Sequence, residues 1–354
     1  MAYSRIAVRV VAAAGVAAAL LGPQSVWGYK IVLPGIHESI TRAAIACVRA
    51  AQGAEPTYCG DRQPAILKDA YLDPGERYSS VERSTRWSDD PNNAVGSLGI
   101  AQYVSRLLVE CARMTKPTSR LDEVGLTCSS HFGRLQFMHA QASREPNGTP
   151  ESDRLTRQKI ISWARFAYRV AIEDPALSLD ADYCATVRGL EHIGADLAPE
   201  GFLQCRKSGQ VAWHVASLFN IQCGNIFSWG TCWHRWGPRP NRRAVLLAKG
   251  AILHLIQDSY SQSHVYRGGG TAPGPRARFE AKIVCAPARH YYEYNSQAGG
   301  HHADADAPPR LDESCRPGAK IDDVITATAK ALWQIDHRIP EDKFIEYLET
   351  SVLG

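Results

Sequence analysis

The chain has 354 residues, 45% of them hydrophobic and 21% charged, with a formal net charge of +4 from 40 basic and 36 acidic side chains. This is the composition of a globular protein, long enough for one large domain or two ordinary ones. The charge is too small to point to nucleic acid by itself, although it suits an anionic, phosphate-bearing substrate.

The first segment reads as an export signal. Arg5 and Arg9 supply positive charge within and before an Ala- and Val-rich stretch, Ile6 to Leu21. Its uninterrupted part, Val10 to Gly22, is shorter than the ~20 residues that a membrane span needs. The cut falls near Trp27/Gly28. Cleavage after Gly28 satisfies the small-residue rule, whereas cleavage before Trp27 leaves Val26 in a poor position. The expected division is therefore a signal peptide over 1–28 and one domain over 29–354.

The periodic segments beyond it are helical. From His37, the positions Ile40, Ala44, Cys47 and Val48 follow a 3.6-residue period, and His37 lies on the same stripe. Residues 99–113 repeat the pattern with Ile100, Val104, Leu107, Leu108 and Cys111. Glu151-Ser-Asp153 opens a helix carrying Ile160, Trp163, Ala167 and Val170. Residues 242–258 form a central helix that is apolar nearly all round. Ile321, Val324, Ile325, Leu332 and Ile335 mark another, and residues 341–352 the last. No period-2 run of four or more residues is present. Long Pro/Gly/polar loops are expected at 52–65, 85–97, 115–128, 143–152, 232–242, 267–277 and 295–319. With no internal repeat and no low-complexity linker, the expected fold is a single all-α domain. The sequon at Asn147-Gly-Thr149 marks a surface candidate.

All ten cysteines follow the export segment, at 47, 59, 111, 128, 184, 205, 223, 232, 285 and 315. An even count in an exported chain reads as up to five disulfides, which would brace the long loops. No Cys-x-x-Cys pair is present, so a cysteine zinc site is not expected.

The most informative stretch closes the central helix: His254-Leu-Ile-Gln-Asp258-Ser-Tyr-Ser-Gln-Ser-His264. The i,i+4 spacing sets His254 and Asp258 on one helix face, where both can grip one ion. If the helix continues, His264 lies about 80° around it from His254 and reaches a second ion. A buried His–Asp pair must be neutralised or coordinated, and imidazole with carboxylate suits zinc. Other candidates are less specific. Asp89 and Asp90, before Pro91, form an ordinary Asx-turn sequence. His131, beside Phe132, and His139, after Phe137-Met138, each read as a packed core histidine. His302 and Asp306 repeat the i,i+4 spacing in a Gly-rich tract, and His290 with Glu293 competes with them at i,i+3. His290 lies among tyrosines, where a helix packed by aromatics is the ordinary reading. His192, His214, His234 and His337 read as structural or surface groups.

Taken in order, these residues resemble the zinc-dependent phospholipase C / P1 nuclease family. Trp27 precedes His37, Trp87-Ser88-Asp89 looks like the family's loop carboxylate, and Ser130-His131-Phe132 looks like its next histidine. His254, Asp258 and His264 match the central helix without a gap, and His302 with Asp306 looks like the closing pair. The chain departs from the pattern at Gln262-Ser263, where the family has Gln-Pro, and in two long gaps, Asp89 to His131 and His264 to His302. The resemblance implies helices around a multi-zinc cleft holding about three Zn2+. Asp89, His131, His254 and Asp258 would hold one ion. Asp258 would bridge to a second, bound by His37 and Trp27. His264, His302 and Asp306 would hold the third. It further implies phosphodiester hydrolysis by an activated water that Asp89 helps to position. The substrate would be phospholipid or single-stranded nucleic acid, the location periplasmic or extracellular, and the contacts at most a transient touch of a membrane surface. No stable protein partner is inferred. The competing reading is a non-catalytic exported helical protein that binds a partner or serves a structural role and retains a partial metal site.

Overall fold

A computed structural model describes residues 35–62, 81–91, 111, 115–116, 119, 121–202, 205, 213–219, 221–223, 232–234, 240–297, 304–305 and 309–354. The expected signal segment, Trp27, most of the helix read over 99–113, and His302 with Asp306 lie outside these residues.

The first helix, α1, spans Ile36–Ala50 and buries Ile36, His37, Ile40, Ala43, Ala44 and Cys47. A one-turn helix, α2 (Val81–Ser84), runs into a 3-10 turn, Thr85–Trp87. The sequence reading made 85–97 a loop. What sets a helical turn there is Trp87, fully buried 5.2 Å from the ring of Phe219. The next helix, α3 (Leu121–Phe132), also replaces an expected loop, 115–128. Gly125, at φ 80° and ψ 166°, breaks it in two and erases the 3.6-residue pattern. A 3-10 turn, Gln136–His139, follows it.

The helix expected after Glu151-Ser-Asp153 is present as α4 (Asp153–Ala171), with Ser152 capping Leu155 N. Short helices α5 (Tyr183–Arg188), α6 (Gly194–Leu197) and α7 (Val215–Phe219) come next, each below the length at which periodicity is legible. An antiparallel pair, β1 (Ile221–Cys223) with β2 (Cys232–His234), sets position 223 opposite 232 in register. The central helix α8 spans Pro240–Asp258 and packs against α4, α7 and the 81–87 segment. As its apolar composition requires, it is buried along most of its length.

The remainder is less regular. Strand β3 (Val265–Arg267) pairs antiparallel with β5 (Ala288–Tyr291), and β4 (Lys282–Ile283) pairs parallel with β6 (Arg310–Leu311). These strands of two to four residues leave no alternating pattern to read. The expected helix around His290 is thus a strand, followed by a 3-10 turn at Tyr294–Ser296. Helix α9 (Val324–Asp336) starts at Asp323, whose carboxylate caps Ile325 N and Thr326 N, and packs on α1 and α8. Helix α10 (Glu341–Tyr347) runs into a π turn, Leu348–Val352.

The fold is therefore mostly α. Four disulfides brace the described residues: Cys47–Cys59, Cys111–Cys128, Cys184–Cys205 and Cys285–Cys315. Bridges of this number mark an exported chain. No helix among the described residues is long and apolar enough to cross a membrane.

Candidate metal centre

An aromatic core fixes two of the turns that carry the site. Trp163 of α4 lies 5.8 Å from Phe219 and 6.4 Å from Phe137, and Phe219 in turn holds Trp87. Trp87 precedes Asp89 by two residues, as Phe137 precedes His139. Burial of these rings thus delivers a carboxylate and an imidazole to the face of α8 that bears His254 and Asp258. Asp90 N donates to Arg86 O at 2.8 Å, and Arg86 pairs with Glu38 of α1, so the Asp89 turn is tied to α1 as well.

α8 approaches the 81–87 segment with no room between backbones. A Cβ on Gly250 would lie 2.1 Å from Ser84 O and 2.2 Å from Ser84 C. This close approach lets His254, one turn later, donate from Nδ1 to Thr85 O at 2.8 Å.

His37, Asp89, His131, His139, His254, Asp258 and His264 are all buried, none more than 3% exposed. His254 Nε2, His139 Nδ1 and Asp258 Oδ2 form a nearly equilateral triangle with sides of 2.9, 2.9 and 3.0 Å. Asp89 Oδ1 stands 3.7 Å from both His254 Nε2 and His139 Nδ1. Zinc bonds of about 2.0–2.1 Å give tetrahedral edges of about 3.3 Å, so these spacings straddle the value a zinc cage requires. The other carboxylate oxygens face His37, whose Nε2 is 3.4 Å from Asp258 Oδ1 and 3.8 Å from Asp89 Oδ2. Each carboxylate thus offers one oxygen to either side. His139 Nε2 and Asp258 Oδ1 are buried without a hydrogen-bond partner.

The ring nitrogens are oriented for ligation. Like His254, His131 and His264 direct Nδ1 to main-chain oxygens, of Thr127 at 2.8 Å and of His139 at 2.7 Å. His37 directs Nδ1 to Gln257 Oε1 at 2.7 Å. Acceptors at Nδ1 fix that proton and leave Nε2 as the ligand atom.

Burial and charge act in opposition here. Burial lowers His37 and His139 to about 4 and also lowers His264. Burial would lower His254 too, but the carboxylates of Asp258 and Asp89 outweigh it and lift this group to about 9. Burial would raise both carboxyls. Instead His254, His131, His139 and His37 hold Asp89 below its ordinary value, and His254 with His264 holds Asp258 far below. Two ionised carboxylates therefore face the protonated His254 and the lowered rings of His37, His139 and His264, a net negative charge and donor set that suit a divalent cation taking the place of the His254 Nε2 proton.

The structure brings together six residues singled out in the sequence: His37, Asp89, His131, His254, Asp258 and His264. It corrects the geometry of three. α8 ends at Asp258, so His264 is set by the turn 259–264 and not by helical rotation. Ser259 Oγ donates to Ile256 O, and Ser261 and Ser263 bond each other, local hydrogen bonds that compete with helix continuation. Asp89 and Asp90, read as an Asx-turn before Pro91, are buried at the end of a helical turn. His131 Nε2 lies 3.7 Å from Asp89 Oδ1 with its ring 4.5 Å from that of His139, so it groups with Asp89 and His139 rather than with His254 and Asp258. The imidazole inside the cage is His139, read from sequence as packing. Groups of three donors that could hold an ion are His37/Asp89/His254, Asp89/His131/His139 and His139/His254/Asp258.

No family model matches the chain, and no curated protein or solved structure is significantly similar to it.

The competing closing pair does not form one site. His290 is half-exposed and pairs with Asp153 at 3.0 Å. Glu293 is buried and pairs with Arg144. Trp27, His302 and Asp306, the other residues of the implied ligand set, lie outside the described residues.

Proposed function

We propose that the chain is an exported zinc-dependent phosphodiester hydrolase, related in its site to the phospholipase C / P1 nuclease family and acting in the periplasm or outside the cell. The observation that supports this is the pair of shared carboxylates. Asp89 and Asp258 each turn one oxygen toward His254 and His139 and the other toward His37. His139, His254, Asp89 and Asp258 would hold one cation, and His37 with the second carboxylate oxygens would hold another. His264, with His302 and Asp306, is the proposed third set. Bound divalent cations supply Lewis acidity, which makes water nucleophilic near neutral pH and screens phosphate charge. Asp89, kept ionised by the imidazoles around it, would help to position the attacking water. His131, beside Asp89 Oδ1, would hold that carboxylate in place. A phospholipid or a single-stranded nucleic acid would serve as substrate, met at a membrane surface only transiently.

The test is metal analysis with an activity assay. Protein expressed with zinc and never exposed to chelator should carry two to three ions per chain, roughly the number of donor sets. It should cleave a phosphodiester, and chelation should abolish the cleavage. Absence of bound zinc would sink the proposal.

A second reading rests on one observation. Every donor among the described residues is nearly closed off from solvent, as in structural zinc sites. Zinc bound at full occupancy without hydrolysis of phospholipid, single-stranded DNA or RNA would favour an exported structural or binding protein.

A further inference from the structure

The acceptors behind the imidazoles are of two kinds. His131, His254 and His264 use main-chain carbonyls of Thr127, Thr85 and His139. A carbonyl can only accept, and its position is set by the backbone. His37 instead meets the side chain of Gln257. A carboxamide can present a donor or an acceptor, depending on which way it is turned.

Its environment ties it to α1. Gln257 Nε2 donates to Thr41 Oγ1 at 2.8 Å, and Thr41 is one turn after His37 on α1. Gln257 and Thr41 are 0% exposed and His37 is 1% exposed. The carboxamide, delivered from α8, therefore spans two residues of α1. With Oε1 against His37, the imidazole carries its proton at Nδ1 and presents the Nε2 lone pair to Asp89 and Asp258. With the amide reversed, an N–H would face Nδ1. The ring proton would then move to Nε2, and that atom could bind no cation.

A purely structural account explains less. Gln257 is fully buried on α8 beside His254 and Asp258, where a buried amide is costly unless both ends are bonded. Leucine would fill similar space and leave His37 Nδ1 without this acceptor.

We infer that Gln257 is a positioning residue, which selects the Nδ1–H tautomer of His37 and so completes the His37 side of the centre. The inference rests on the proposed reading of these residues as a metal site. It commits the site to a dependence that ligand identity alone does not contain: a neutral side chain that touches no cation controls one of them.

The experiment is a zinc titration of the full-length protein against a competing chromophoric chelator, for wild type, Gln257→Leu, Gln257→Glu and Thr41→Val. Gln257→Leu should weaken one of the bound ions by about 10- to 100-fold, the usual range for loss of a ligand's hydrogen-bond partner. Gln257→Glu keeps an acceptor at Nδ1 and should stay within about threefold of wild type. Thr41→Val should fall between them. Nitrogen-15 shifts of His37 supply a readout that packing would not move, with the Nδ1–H tautomer in wild type and Gln257→Glu and a mixture in Thr41→Val. Wild-type zinc affinity in a folded Gln257→Leu protein overturns the inference while sparing the metal site, and so does an equal loss in Gln257→Glu. Should Gln257→Leu fail to fold, an unchanged tautomer and affinity in Thr41→Val overturn it. Absence of zinc binding in wild type removes the metal reading and this inference together.

Discussion

Two regions of the molecule bury charge, and they close it differently. Around Lys159, on α4, the account is balanced within the protein. Lys159 Nζ lies 2.5 Å from Glu151 Oε1 and 2.7 Å from Asp196 Oδ2, and Arg134 stands 3.6 Å from Asp196. Two cations meet two anions, and burial of Lys159 is outweighed by Asp196 and Glu151, which raise it. Around Asp258, two carboxylates meet one imidazolium and rings that burial keeps mostly neutral. The difference teaches what separates a structural ion cluster from a candidate cation site. The first is complete as folded, and the second has donors aimed at a common space and a charge still to be matched.

The largest expected effect tests that asymmetry directly. Asp258→Asn should remove most of the bound zinc and the activity, because a carboxylate shared by two cations has no substitute. Asp90→Asn should retain the metal, since Asp90 is in none of the donor groups. Metal analysis of the two variants decides, and equal loss in both would assign the loop carboxylate wrongly.

The Lys159 cluster should respond in the opposite currency. Lys159→Met takes the cation from buried Glu151 and leaves Asp196 only the longer contact to Arg134, and should cost about 3–5 kcal/mol of stability. Zinc per folded chain should be unchanged. Denaturant melts with metal analysis of the folded fraction check this, and parallel loss of zinc would erase the distinction between the regions.

How much of this was legible in advance depended on where the signal lay. The His254/Asp258 pair was readable because both residues belong to one regular helix, as were the amphipathic runs of α1, α4 and α9. His139 was not, because its role depends on a 3-10 turn ending at Ala140, at φ 53°, and on Phe137 packing against Trp163. Both are tertiary facts with no spacing rule. His131 had the more suggestive local sequence and occupies the less central position. The 121–132 helix was hidden by Gly125 and the strands by their brevity. The residues bearing Trp27, His302 and Asp306 rest on the resemblance alone.

Acid should sharpen the comparison further in the metal-free chain. His37 and His139 hold about 4 in the folded protein against 6.5 ordinarily. Between these values the unfolded chain takes up protons that the folded one refuses. Stability should therefore fall as pH drops from 6.5 to 4, by at most about 3 kcal/mol per group. His254, raised to about 9, contributes in the other sense: its share is present below 6.5 and is lost as pH rises through 9. Urea midpoints of metal-free protein across this range should show the acid slope in Lys159→Met as in wild type. Loss of the slope in that variant would place its origin outside the centre.

The smallest effect separates two neighbouring rings. His139→Ala should lose one ion, whereas His131→Ala, which removes a support of Asp89, should weaken zinc by roughly 10-fold. Titration of both variants checks the order, and a reversed order would return His131 to the ligand set.

The contact between Gly250 and Ser84 carries a consequence for how such a centre tolerates change. Two backbones meet there, with only the Ser84 hydroxyl beside them, four residues ahead of His254. Added bulk at that point would act as a wedge, pushing the Thr85–Asp89 turn away from α8. One carboxylate would be drawn from the group while every donor kept its chemical identity. A substitution as mild as Gly250→Ala would thus detune the centre by translation, leaving a chain with a complete ligand inventory and no place where the ligands meet.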